Sequence, residues 1–225
     1  MPKLTFKKNK YLILKNVLSD DFADFLYKYL LLKRQVAQTM FEQRAIPMGS
    51  TEWGYWDDSQ VPNTFSSYGD MVMETLLVKL LPLMQKETNL KLYPNYAYLR
   101  IYKNGDILKR HKDRFSCQIS TTLNLGGDSW PIYLSPKENV GIPDGKKITI
   151  ISNAKGFKVD LKPGDMLIYR GMELEHWREP FEGENCAQVF LHYTDQKEKN
   201  AKENLFDGRP HLGLPIYFQA DRSND

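Results

Sequence analysis

The residues best equipped for chemistry in this chain are its histidines, and there are only four: His111, His176, His192 and His211. One of them stands two residues before an aspartate, in His111-Lys112-Asp113. On an extended backbone, residues two apart point the same way, so this imidazole and this carboxylate can face a single ion. His176 follows far downstream, just beyond a strand expected over residues 166–169. Two neutral imidazoles and one carboxylate form a facial triad that suits Fe(II) and leaves positions open for a co-substrate and O2. A His-X-Asp pair also arises by chance, and the plain alternative is a surface pair with a structural His176.

Such a triad needs strands to hold it, and the sequence puts helices first and strands after. Residues 11–18 read as a strand running into a turn. Ser19 then caps a helix whose first turn carries Asp20 and Asp21, where the dipole favours acids. Phe22, Phe25, Leu26, Tyr29 and Leu30 recur at helical spacing. Residues 49–68, rich in Gly, Ser, Pro, Asp and aromatics, show no period and read as a long, lid-like loop containing Trp53, Tyr55 and Trp56. A second amphipathic helix starts near Asp70, with Met73, Leu76, Leu77, Leu80 and Met84 on its apolar face. Pro82 is expected to kink or end it.

From Tyr93 the pattern alternates: Tyr96, Tyr98, Arg100 and Tyr102 share one face, and Ala97, Leu99 and Ile101 the other. Further strands are expected over 117–125, 131–134, 147–151, 157–161, 166–169 and 185–193. Asn104-Gly105, Gly126-Gly127, Pro143-Asp144-Gly145 and Pro163-Gly164-Asp165 punctuate them. Short strands at this spacing favour a sandwich or barrel. The tail is polar after Asp195 and then apolar over 212–218, a segment expected to dock on the body.

A chain of 225 residues with 41% hydrophobic and 26% charged residues can bury one core as an ordinary globular protein. We expect a single domain over 1–225, with a helical part to about 92, a β core over 93–195 and a tail over 196–225. A net charge of +3 argues against nucleic acid as partner. No apolar run has the length of a membrane span: 76–84 is broken by Lys79 and Pro82. Met1-Pro2-Lys3-Leu4 lacks the apolar core of a signal peptide. Two cysteines, Cys117 and Cys186, suit free thiols in a reducing, cytoplasmic setting. Oligomeric state is not readable.

Several segments then agree in order and spacing. Tyr102, Gly105, Leu108, His111 and Asp113, the run Lys162-Pro-Gly-Asp-Met-Leu-Ile-Tyr169, and His176-Trp-Arg-Glu-Pro180 together resemble the 2-oxoglutarate-dependent Fe(II) dioxygenases, particularly the prolyl 4-hydroxylase-like branch. The likeness spans roughly 95–195. It implies an α+β fold, a double-stranded β-helix (jelly roll) core with N-terminal flanking helices. It also implies Fe(II) on His111, Asp113 and His176, with 2-oxoglutarate and O2 as co-substrates, and hydroxylation of carbon in a peptide or small molecule. Tyr102 matches the family's co-substrate tyrosine; a barrel-wall aromatic is the alternative.

One departure stands out. Where the family carries Arg or Lys near the start of the last strand to grip the distal carboxylate of 2-oxoglutarate, this chain has Asn185 and Cys186. Arg178 and Arg100 are the replacement candidates, and the bland reading of Arg178 is an outward ion pair with Glu179 or Glu182. Gln118, Ser120, Thr122 and Asn124 share a strand face, as do Gln188 and His192; such a face lines a barrel mouth or meets solvent. His192 is read as a hydrogen-bonded structural residue, Arg114 as solvated, Trp53 and Trp56 as packing residues or a substrate cover, and His211 as exposed. Two other readings stand beside the dioxygenase: a non-catalytic jelly-roll binding module, and a metal-dependent enzyme of this fold that does not use 2-oxoglutarate.

Overall fold

In the computed structural model, residues 5–47, 50–135, 142–144, 147–149 and 154–219 are described. A single turn, α1 (Phe6–Asn9), precedes strand β1 (Tyr11–Leu14). Ser19 caps α2 (Asp20–Glu42) as expected, its hydroxyl accepting from Phe22 N. Asp70 caps α3 (Met71–Thr88) by accepting from Val72 N and Met73 N at 3.0 Å each. The same carboxylate takes the Tyr29 hydroxyl at 2.6 Å and Lys33 Nζ at 2.8 Å, so one cap also ties α2 to α3.

Pro82 neither ends nor breaks α3, which runs six residues beyond it to Thr88. Pro82 is on the exposed side, where the carbonyl it leaves unbonded can meet water. Leu77, Leu80 and Met84 keep that stretch packed on the opposite side. The expected 49–68 loop is shorter than read, because Phe65–Tyr68 forms strand β2 against β3 (Leu92–Lys103). Gly49 lies outside the described residues, as do residues 1–4.

The remaining strands are β4 (Leu108–His111), β5 (Ile119–Gly127), β6 (Ile132–Ser135), β7 (Ile142–Asp144), β8 (Lys147–Thr149), β9 (Phe157–Val159), β10 (Met166–Tyr169), β11 (Glu175–Arg178) and β12 (Asn185–Asp195). Pro143 and Asp144, expected in a turn, belong to β7; Gly145 and residues 150–151 lie outside the described residues. Two strands had no signal of their own. β4 and β11 are four residues each and polar or charged at most positions, so neither shows the alternation that marks a strand.

Among the described residues all strand pairings are antiparallel. A six-stranded sheet runs β1-β10-β5-β12-β3-β2, a four-stranded sheet runs β4-β11-β6-β9, and β7 and β8 form a ribbon. One face of the large sheet packs on α2 and α3: Ala97, Leu99, Ile101, Leu123, Val189 and Leu191 meet Leu26, Leu30, Leu77 and Met84. Each buried Leu contributes about 1.5–3 kcal/mol, so this packing, more than helix propensity, holds the layer.

The small sheet covers the opposite face. Leu167 and Tyr169 of β10 cluster with Ile132, Leu134 and Val159. Tyr102 and Cys186 cluster with Leu108, Trp130 and Phe181. The polar strand faces of β5 and β12 therefore point between the sheets: Ser120, Thr122, Asn124, Gln188 and His192 are all buried. Both cysteines are free and buried. Among the described residues, no helix is long and apolar enough to cross a membrane.

The tail docks, but through polar groups. Leu212 packs on the core, whereas Ile216, Tyr217 and Phe218 are exposed. The anchor is Arg209, fully buried, whose guanidinium pairs with Glu74 of α3 at 2.6 Å and also donates to the carbonyls of Phe206, Leu214 and Asn95. Removing one partner of a buried pair costs roughly 3–5 kcal/mol, because the other charge is left unmatched. Arg209→Met is therefore expected to lower stability by that amount in urea unfolding, and Glu74→Met added to it to restore part of the loss.

Candidate metal centre and its cavity

His176 lies beyond the 166–169 strand, as expected, but in a short strand of its own, β11, and His111 is the last residue of another, β4. They are direct cross-strand partners in the β4–β11 pair, and their ring centroids are 4.2 Å apart. Asp113 lies past the end of β4, in a loop held by the turn after β10: its backbone N–H donates to Gly171 O at 2.9 Å. One nitrogen or oxygen from each of His111, Asp113 and His176 lies within 4.8 Å of the others. Asp113 Oδ1 is 3.3 Å from His176 Nε2 and 3.7 Å from His111 Nε2. Ligands about 2.1 Å from one ion at right angles stand roughly 3 Å apart, so these separations match a shared centre.

The ring orientations match it too. His111 Nδ1 bonds Lys109 O at 2.7 Å, and His176 Nδ1 bonds Leu174 O at 3.0 Å. A carbonyl only accepts, so each Nδ1 carries a proton, and in the neutral tautomer this fixes, Nε2 keeps the lone pair that faces the centre. Burial, helped by the neighbouring His176, pushes the His111 imidazole down to about 4, which leaves it neutral at neutral pH. Burial by itself raises the Asp113 carboxyl, but the imidazoles of His176, His111 and His192 outweigh it and hold the group well below the usual carboxylate range.

The triad opens on a cavity of about 660 Å³. Its wall takes Tyr96, Tyr98, Arg100 and Tyr102 from one face of β3, as the alternation predicts. The 51–64 loop contributes Tyr55, Asp58 and Gln60 to the cavity rather than its tryptophans. Trp56 packs on Phe41 and Phe65, and Trp53 is exposed. Arg114 is exposed yet not merely solvated: it lies over the Tyr96 ring and pairs at 2.7 Å with buried Asp207 of the tail. Ile216 of the tail also lines the cavity. His211 is exposed, as expected.

The two arginine candidates differ in their partners. Arg100 is buried, donates to Asp58 at 2.5 Å and to Tyr102 Oη at 3.3 Å, and has its charge met by that aspartate. Arg178 does not reach outward to Glu179 or Glu182. It is buried between the sheets, over the Trp130 ring, donating to Trp130 O and to Thr122 Oγ1. Its Nε has no hydrogen-bond partner, and no carboxylate pairs with it among the described residues. Arg178 is not itself a lining residue; Trp130 beside it packs edge-on against lining Tyr102, with centroids 4.6 Å apart.

One residue essential to this geometry passed unnoticed in the sequence. A Cβ on Gly171 would sit 2.1 Å from Asp113 Oδ2 and 2.5 Å from Ser120 Oγ. Glycine here makes room for the carboxylate, and a glycine after a strand carries no sign of that use. Gly171→Ala is expected to cost about 1–3 kcal/mol as an overpacked site. It should also abolish the thermal stabilisation by Mn(II) expected of wild type, as read by a melting assay.

No protein-family model and no curated protein matches the chain. Solved structures do. A prolyl-4-hydroxylase from Pseudomonas putida aligns over 85% of this chain and 95% of its own, at 15% identity and a TM-score of 0.53. HygX from Streptomyces hygroscopicus, with nickel and 2-oxoglutarate bound, aligns over 85% of both chains at 15% identity and a TM-score of 0.57. The epimerase SnoN, in complex with Fe3+, alpha ketoglutarate and nogalamycin RO, aligns over 84% of this chain and 80% of its own at 13% identity and a TM-score of 0.60. At such identities the likeness is one of fold. The chain has the fold of the 2-oxoglutarate- and iron-dependent oxygenases, prolyl 4-hydroxylases among them.

Proposed function

We propose that this chain is a non-haem Fe(II), 2-oxoglutarate-dependent dioxygenase that hydroxylates a carbon of a peptide or small molecule. In this reading 1–225 is one domain, and its two antiparallel sheets are a double-stranded β-helix. The observation that carries the proposal is the convergence of two Nε2 atoms and one carboxylate oxygen, each fixed by its own backbone or side-chain bond, in the wall of a cavity. The donor set fits Fe(II): two imidazoles and one carboxylate on one side leave the other side open. When bound, the metal would supply the site at which O2 and 2-oxoglutarate react to oxidise a substrate C–H bond.

The residues around it have distinct tasks. His111, Asp113 and His176 hold the metal. Arg178 binds the distal carboxylate of 2-oxoglutarate. A buried guanidinium without a counter-charge is costly, and a planar carboxylate is the ligand that matches its fork. Arg100 is the weaker anchor, because Asp58 already meets its charge. Tyr102 contributes its hydroxyl beside them. The remaining cavity, walled by tyrosines, receives the substrate and keeps bulk water from the reacting carbon.

Titration with Mn(II) in the melting assay should raise the transition temperature of wild type and leave His111→Ala unmoved; equal stabilisation of both would end the metal assignment. With Fe(II) loaded, 2-oxoglutarate is expected to bind wild type, and Arg178→Met to weaken that binding by at least tenfold, while Arg100→Met changes it far less. The absence of any basic residue among Asn185, Cys186 and Gln188 on β12 favours, as second reading, a metal enzyme of this fold with another co-substrate. Metal binding without 2-oxoglutarate binding or succinate release selects that reading.

A further inference from the structure

The two carboxylate oxygens of Asp113 have different surroundings. Oδ1 faces both imidazoles. Oδ2 is 2.6 Å from Ser120 Oγ, on β5. Ser120 is fully buried, and its hydroxyl has two more neighbours: Cys117 O at 3.0 Å and His192 Nδ1 at 3.1 Å. A serine hydroxyl carries one proton. Of its neighbours, the carboxylate and the carbonyl only accept, and the shorter contact to the anion takes that proton. His192 Nδ1 must then donate to Ser120 Oγ, whose lone pairs are free to accept.

His192 is itself fixed. It lies on β12, which pairs with β5 so that His192 and Ser120 are register partners, and its ring stacks on Tyr96 at 4.5 Å and 28°. A chain of donation therefore runs from His192 through Ser120 to Asp113, across two neighbouring strands of the large sheet. The metal-ligand pair His111–His176 belongs to the small sheet, and Asp113 lies between.

We infer that Ser120, backed by His192, is a positioning residue for Asp113: it holds Oδ2 so that Oδ1 alone is presented to the metal. The inference rests on the metal reading above. The Gly171 backbone passes close to Oδ2, where a Cβ would sit 2.1 Å from it, and the Ser120 hydroxyl supplies the hydrogen bond that orients that oxygen. Without that hydroxyl the carboxylate is free to rotate or to offer both oxygens. Groups that orient a metal ligand are typically worth about 10–100-fold in metal affinity.

The test is a Co(II) titration of the full chain, following the visible absorption of the bound ion together with the binding isotherm. Ser120→Ala is expected to weaken Co(II) binding by about 10–100-fold and to change the band shape, while the metal-free melting temperature moves little. His192→Leu should weaken binding less, and His192→Gln, which keeps an N–H donor, should restore part of that loss. A Ser120→Ala protein with wild-type affinity and spectrum would overturn the inference, even if its metal-free stability had dropped. If wild type itself takes up no Co(II), the metal reading falls and this inference with it; wild-type binding with an unaffected Ser120→Ala removes the inference alone.

Discussion

The pairing of β4 with β11 is the constraint on which the site depends. Cross-strand partners in an antiparallel pair lie on the same face within a few ångströms, so setting His111 opposite His176 brings together two residues 65 positions apart. Every other element of the centre is placed relative to that pair. Asp113 follows β4 directly, and its carboxylate reaches the two rings only because the turn after β10 passes close by with a glycine at 171. The strand pair is short and has no apolar run of its own. It is held by the sheet around it, with β11 also paired to β6 and Leu108 packed among Tyr102, Trp130 and Phe181.

Several charged groups around the cavity and the tail are matched in pairs. Arg100 meets Asp58 from the 51–64 loop, Arg114 meets Asp207 from the tail, and Arg209 meets Glu74 from α3. Two of these pairs bring a loop or the tail to the cavity, and the third pins the tail beside it. Burying such groups is tolerable only when each is paired and hydrogen-bonded. The cavity wall is therefore assembled from parts distant in the chain, and electrostatic matching keeps them there. Arg178 departs from the pattern, since its neighbours are neutral acceptors. That difference is what separates it from Arg100 as the proposed partner of a carboxylate.

The polar faces of β5 and β12 take their meaning from the same enclosure. In the sequence, Ser120, Thr122 and Asn124 alternate with Ile119, Thr121, Leu123 and Leu125 much as residues on a solvated face would. The small sheet covers them, and their hydrogen bonds then run inward, to Asp113, Gln188 and the Leu161 carbonyl respectively. An alternating pattern encodes two faces but not which of them meets water. Only the position of the second sheet decides that.

What the amino-acid sequence determined by itself was local. Period and capping located α2, α3 and the long strands, because apolar spacing and Ser or Asp caps act within a few residues. The rarity of histidine and the two-residue spacing of His111 and Asp113 singled out the candidate ligands. The tertiary structure alone decided how those pieces meet. It turned part of the aromatic loop into β2, carried α3 through Pro82, and put both histidines inside strands too short and polar to announce themselves. It also set Arg178 inward without a counter-charge and placed Gly171 and Ser120 against Asp113. Each of these outcomes depends on groups far apart in the chain, and such contacts leave no periodic trace in the residues that make them. The candidate ligands were legible; the arrangement that brings them together was not.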